Sequence, residues 1–139
     1  MTVTASYYAG GPLPGAEVSW RVSATPATFR PPNRDDFVFG PFLPWWDWRP
    51  RPPEPERVET MSARTDGAGV HRLRIDFDRG DPPRPRVVRA EGTVMDVNRQ
   101  AWTAGADLLV HPSDRYVGLR SERAFVQKGE PIAIEAIAT

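Results

Sequence analysis

Apolar and polar residues alternate with a period of two through most of this 139-residue chain. Ala16, Val18, Trp20 and Val22 alternate with Glu17, Ser19 and Arg21. That period places the first set on one face of a strand and the second on the other. The strand predicted over Ala16–Ser23 is therefore half buried, as in an antiparallel sheet with one wet side. Thr2–Tyr8 behaves alike, with Val3, Ala5 and Tyr7 opposed to Thr4 and Ser6. Gly10-Gly11-Pro12-Leu13-Pro14-Gly15 lies between the two runs. Gly permits positive φ and Pro presets φ, so this segment is a turn and the runs are expected to form a hairpin. A second hairpin is expected from Arg57–Ala63, the turn Thr65–Gly69, and Val70–Asp78, where Leu73, Ile75 and Phe77 share a face. Arg86–Val97 is a strand in which Gly92 marks the place for a bulge. After the turn Asn98-Arg99-Gln100 comes Ala101–His111, with Trp102, Ala104, Ala106, Leu108 and Val110 in register.

Pro112-Ser113-Asp114 reads as a boundary. Beyond it Tyr116–Leu119 and Ala124–Gln127 are strand-like, and Lys128-Gly129-Glu130-Pro131 is a turn. Ile132, Ile134, Ala136 and Ala138 then line one face of a last strand. No window carries helical apolar spacing, and 16 prolines with 11 glycines argue against helices. Short strands at regular spacing predict an all-β, antiparallel β-sandwich of the fibronectin type III or immunoglobulin kind, with about seven strands.

The alternation breaks between Thr25 and Glu56, where nine prolines accompany Phe29, Phe37, Phe39, Phe42, Trp45, Trp46 and Trp48. Only Phe37–Phe39 reads as a short strand there. Disordered linkers are poor in aromatic residues, so the segment is expected to be an ordered insertion folded back on the sandwich. Trp45, Trp46 and Trp48 admit two readings. They are a stacking platform for a glycan or peptide, or they pin the insertion to this domain or a neighbour. The second is preferred, because large apolar surface is usually buried or at an interface.

Lys plus Arg equals Asp plus Glu at 18 each, so the chain lacks the basic field that nucleic acid demands. The arginines between Arg79 and Arg89 sit among Asp76, Asp78, Asp81 and Glu91 and form a mixed, solvated surface. With no cysteine, a disulfide, a thiol nucleophile, a thioester and a Cys-based zinc site are all impossible. No stretch reaches the roughly 20 apolar residues that span a bilayer. No leader follows Met1, so any export signal or lipid anchor is expected outside this segment.

His71 and His111 are 40 positions apart and read as structural residues, without the acidic partners of a metal site. Asp35-Asp36 and Asp76/Asp78 lack the Gly-punctuated spacing of a calcium loop. Arg79-Gly80-Asp81 spells an adhesion tripeptide but is ordinary turn chemistry. No nucleophile elbow is present. No catalytic, cofactor-binding or metal residue is predicted, and the chain reads as non-enzymatic.

Four segments in order carry a family likeness: Tyr7–Ala16, Arg64–Gly69, Asp96–Gln100 and Leu109–Arg120. Through them the chain resembles the macroglobulin-type domains of bacterial α2-macroglobulin-like protease inhibitors. The resemblance implies a fibronectin-like sandwich acting as scaffold in a large periplasmic, cell-envelope or extracellular protein that encloses proteases. Its partners would be neighbouring domains and the trapped proteases, and no cofactor is implied. The likeness also implies that the opening strand of the domain is missing before Thr2. Residues 1–113 are then one sandwich, and residues 114–139 are the first strands of the following domain. Those strands are expected to complete the first sandwich, by folding back or by exchange between two chains.

Overall fold

The computed structural model describes residues 1–41, 57–77 and 83–139. Nine strands and no helix are found among these residues: β1 (Thr2–Thr4), β2 (Glu17–Pro26), β3 (Val38–Phe39), β4 (Arg57–Arg64), β5 (Val70–Arg72), β6 (Arg86–Met95), β7 (Ala101–Val110), β8 (Val117–Ser121) and β9 (Ile134–Ala138). They form three antiparallel sheets, in the orders β4-β2-β6-β7, β1-β5 and β3-β8-β9.

The first two sheets enclose the core. β2 contributes Val18, Trp20 and Val22, and β6 contributes Val88, Ala90 and Val94. Ala5, Leu13, Ala16 and Leu73 close it from the other side. Val18 and Val88 are fully buried, and each stabilises the fold by about 1.5–3 kcal/mol relative to exposure. The alternation of Ala16–Ser23 is thus a strand with one face in the core, as its pattern predicts.

Neither expected early hairpin forms. β1 pairs with β5, and β2 pairs with β4 and β6. The chain crosses between sheets after β1 and again after β4, because each strand of a sandwich can bury its apolar face from either layer. Local alternation does not distinguish an in-sheet hairpin from such a crossing. The two crossings lie side by side and are bonded together. Thr65 N donates to Ala16 O (3.0 Å) and Gly15 N donates to Thr65 O (3.1 Å). The buried Thr65 hydroxyl accepts from Ala16 N (2.9 Å) and donates to Leu13 O (2.7 Å).

Three further expectations change. The ladder of β6 runs unbroken from Arg86 to Met95, so Gly92 makes no bulge. Gly92 instead receives the Trp20 ring, which a Cβ there would meet at 3.3 Å. Of the strand expected over Val70–Asp78, the described residues form strand only over Val70–Arg72, and the buried Leu73 then bonds to Met1; Asp78 lies outside the described residues. Ala124–Gln127 is irregular and leads into the turn closed by Glu130 N to Gln127 O (3.0 Å).

Residues after Pro112 do not fold back onto β1. β8 pairs with β9 and with the two residues of β3. Among the described residues β1 therefore has β5 alone as its neighbour.

Candidate functional site: the joint between the sandwich and the C-terminal hairpin

The segment leaving β7 carries His111, and the segment entering β8 carries Tyr116. His111 Nδ1 and the Tyr116 hydroxyl are 2.7 Å apart. Phe29, from the segment after β2, stacks on both: its ring lies 4.7 Å from His111, edge on, and 4.9 Å from Tyr116. Partial burial raises the Tyr116 phenol above its usual value. Tyr116 also exchanges two backbone bonds of 2.9 Å with Thr139. One aromatic cluster thus fixes how the chain leaves the sandwich and how the last hairpin begins.

A second clamp lies on one face of the β3-β8-β9 sheet. Gly118 sits directly beneath Phe39, whose ring a Cβ there would meet at 2.6 Å. Arg120 stacks on the Phe37 ring (4.7 Å) and bridges Asp36 and Glu135. The hydrogen bond to Glu135 raises the guanidinium above its ordinary value; desolvation opposes it, and the charges of Glu135 and Asp36 add to the rise. The start of the insertion, residues 27–41, is held against the last hairpin by these contacts.

Between joint and sandwich opens a cavity of about 1500 Å³, floored by Val22, Ala24, Val88 and Val110 and rimmed by Phe29 and Tyr116. Its walls carry charges of both signs, including Arg86, Glu59 and Asp114. Ser113 Oγ bonds to Asp114 (3.4 Å), while His111 Nδ1 is engaged by Tyr116.

The other histidine, His71, accepts the indole N–H of Trp20 at Nδ1 (3.0 Å). Trp can only donate, so His71 carries its proton on Nε2. Among the described residues no group of three or more His, Asp or Glu gathers to hold a metal ion. Asp35 pairs with Arg30, and Asp36 with Arg120. Trp45, Trp46 and Trp48 lie outside the described residues, as does Arg79-Gly80-Asp81. Pattern reading missed the joint, since Phe29, His111 and Tyr116 are scattered in sequence. The signal was there in a His and a Tyr flanking the boundary Pro112-Ser113-Asp114.

No family model matches the chain. Over 125 residues, 85% of the chain, it is 30% identical to Circularly permutated Ras protein 2 of Dictyostelium discoideum, of which it spans 3%. Over 144 aligned positions, 99% of the chain, it is 26% identical to the Alpha-2-macroglobulin homolog of Nostoc sp. (strain PCC 7120), of which it spans 7%. In three dimensions it is similar to the native conformation of E. coli alpha-2-macroglobulin, with a TM-score of 0.63 and 15% identity, covering 96% of this chain and 8% of that one. The chain thus corresponds to a small fraction of each relative. Sequence likeness to the Nostoc homolog along nearly the whole length of the chain, together with the sandwich shared with the E. coli protein, supports a macroglobulin-type domain.

Proposed function

We propose that this chain is a non-catalytic scaffold within a larger protein that encloses and inhibits proteases, in the periplasm, the cell envelope or outside the cell. Residues 1–113 form one sandwich, and residues 114–139 open the next domain. The observation that carries this reading is the joint. Phe29, His111 and Tyr116 tie the end of one sandwich to the hairpin β8–β9, which lies with β3 in a sheet apart from the two that enclose the core. A contact of that kind sets the angle between successive modules, and such angles decide whether a chain of modules can close around a guest.

The test uses the longer protein that carries this domain, mixed with trypsin. Enclosed trypsin is expected to keep cleaving a small chromogenic peptide while losing activity on a large protein substrate. Equal activity on both would overturn the trapping role. The 139-residue chain alone is expected to leave trypsin unaffected, and inhibition by it alone would overturn the scaffold assignment.

A further inference from the structure

We infer that the β8 edge is a peptide-recognition site, which this chain fills with its own segment Asp36–Phe39. The site reads an extended peptide with an acidic residue followed by two aromatic residues two positions apart. The burial of Phe37 is the first observation. At 5% exposure it is, among the described residues, the one buried apolar side chain outside the core cluster of the sandwich. Its cover comes instead from the hairpin β8–β9, where the Arg120 guanidinium lies over the ring.

Register shows how the site reads sequence. Val38 stands opposite Leu119, and Phe39 opposite Gly118. Continuing that register sets Phe37 opposite Arg120. Across β8, Glu135 stands opposite Arg120. Side chains alternate between faces, so Phe37, Phe39, Arg120 and Glu135 share the face on which Gly118 has no side chain. Gly118 is buried, and a Cβ there would meet the Phe39 ring at 2.6 Å. The glycine is therefore a socket for one ring. Arg120 is the socket for the other: paired with Glu135 behind it, it offers its flat face to Phe37 and a donor to Asp36. Val38 points to the opposite face and is exposed, so that position is free to vary.

The main chain supplies little of the grip. Tyr116 exchanges both backbone bonds with Thr139. By parity Gly118 and Arg120 bond to β9, and Leu119 turns its N–H and C=O toward Val38. So short a ladder does not hold by itself. In strand addition the backbone gives affinity and alternate side chains give specificity; here the side chains give most of both. The ion pairs are exposed and weak, so the two rings hold the segment and Asp36 sets its direction. The acceptor does not depend on its occupant. β8 and β9 keep a ladder from Val117 to Ser121, and Phe29 and His111 hold Tyr116 at its base. The inference is independent of protease trapping.

The test empties the site and offers the same chemistry from outside. Phe37→Ser with Phe39→Ser, in the intact chain, removes both rings without touching the core cluster. The probe is a fluorescein-labelled peptide spanning Asn33–Gly40, followed by fluorescence anisotropy. The emptied chain is expected to bind it with a Kd of about 0.1 mM. Wild type is expected to bind about ten-fold more weakly, because its own segment competes at an effective concentration of about 1 mM. Adding Gly118→Val to the emptied chain is expected to weaken binding by about ten-fold or more, and a peptide with alanine at both Phe positions is expected not to bind. No binding by the emptied chain up to about 1 mM, equal binding by wild type, or indifference to Gly118→Val overturns the inference. Amide exchange gives an independent readout. In the emptied chain the Leu119 N–H is expected to exchange about ten-fold faster than in wild type while the Gly118 N–H is unchanged, and saturating peptide is expected to restore Leu119. If both amides accelerate together, the hairpin needs its segment in order to form, and a preformed site is refuted.

Discussion

Replacing Thr65 by valine tests how the two sheets are joined. Thr65 is 5% exposed, and from the crossing after β4 its hydroxyl serves Ala16 N–H and Leu13 C=O together, both in the crossing after β1. Valine keeps the shape and removes the oxygen, leaving two backbone groups without partners in a site that admits little water. An orphaned buried group costs about 1–3 kcal/mol. The extra methyl returns under about 1 kcal/mol, so the net loss is about 2–4 kcal/mol. Thr65→Ser supplies the control. It keeps both bonds and gives up one buried methyl, costing about 1 kcal/mol. Urea unfolding followed by tryptophan fluorescence reads both. With an m-value of about 2 kcal/mol/M, valine is expected to lower the midpoint by about 1–2 M and serine by about 0.5 M. If the two variants unfold within about 0.2 M of each other, the hydroxyl does not hold the crossings together.

Two turns share one construction and should respond in opposite ways. Asp66 and Asp96 each accept two backbone N–H groups through Oδ1, and the fourth residue of each turn has positive φ: Gly69 at 73° and Arg99 at 61°. Arg99→Gly relieves a left-handed side chain and is expected to stabilise by about 0.5 kcal/mol. Gly69→Ala, whose Cβ would stand 2.4 Å from Ala5 O, is expected to cost several-fold more; both are read by thermal melts. The Asp66 carboxyl is held below its reference value of 3.8, chiefly by the Val70 N–H. A depressed folded-state pKa gives stability that is full above 3.8 and fades as pH falls through the folded value. The melting temperature is therefore expected to drop less steeply below about pH 4 in Asp66→Asn than in wild type. Arg120→Lys keeps the charge but loses the planar fork that reaches Asp36, Glu135 and the Phe37 face. Amide exchange in β8 is expected to accelerate about five-fold. An unchanged rate would show that the clamp carries no energy.

What the sequence disclosed follows the range of the interactions involved. A strand face is a local property, so Val18, Trp20, Val22 and the Ile134–Ala138 row were legible from spacing alone. Pairing partners are a long-range property, and that is where reading failed. β1 prefers β5 and β2 prefers β4 because Thr65 locks both crossings, and Thr65 meets Leu13 52 positions away. Gly92 illustrates the same division. A glycine in a strand signals either a bulge or a close approach, and only the packed Trp20 ring decides between them. The joint was missed for a related reason: a Phe, a His and a Tyr at positions 29, 111 and 116 show no period, and only the last two flank the boundary Pro112-Ser113-Asp114. Exposure departs from pattern most instructively at β7. Its alternation is that of a buried strand, yet Trp102 and Leu108 are exposed although they share the face of the buried Val94 and Val88. Spacing reports which face of a sheet a residue occupies, whereas its exposure depends on the second layer, which no local pattern encodes.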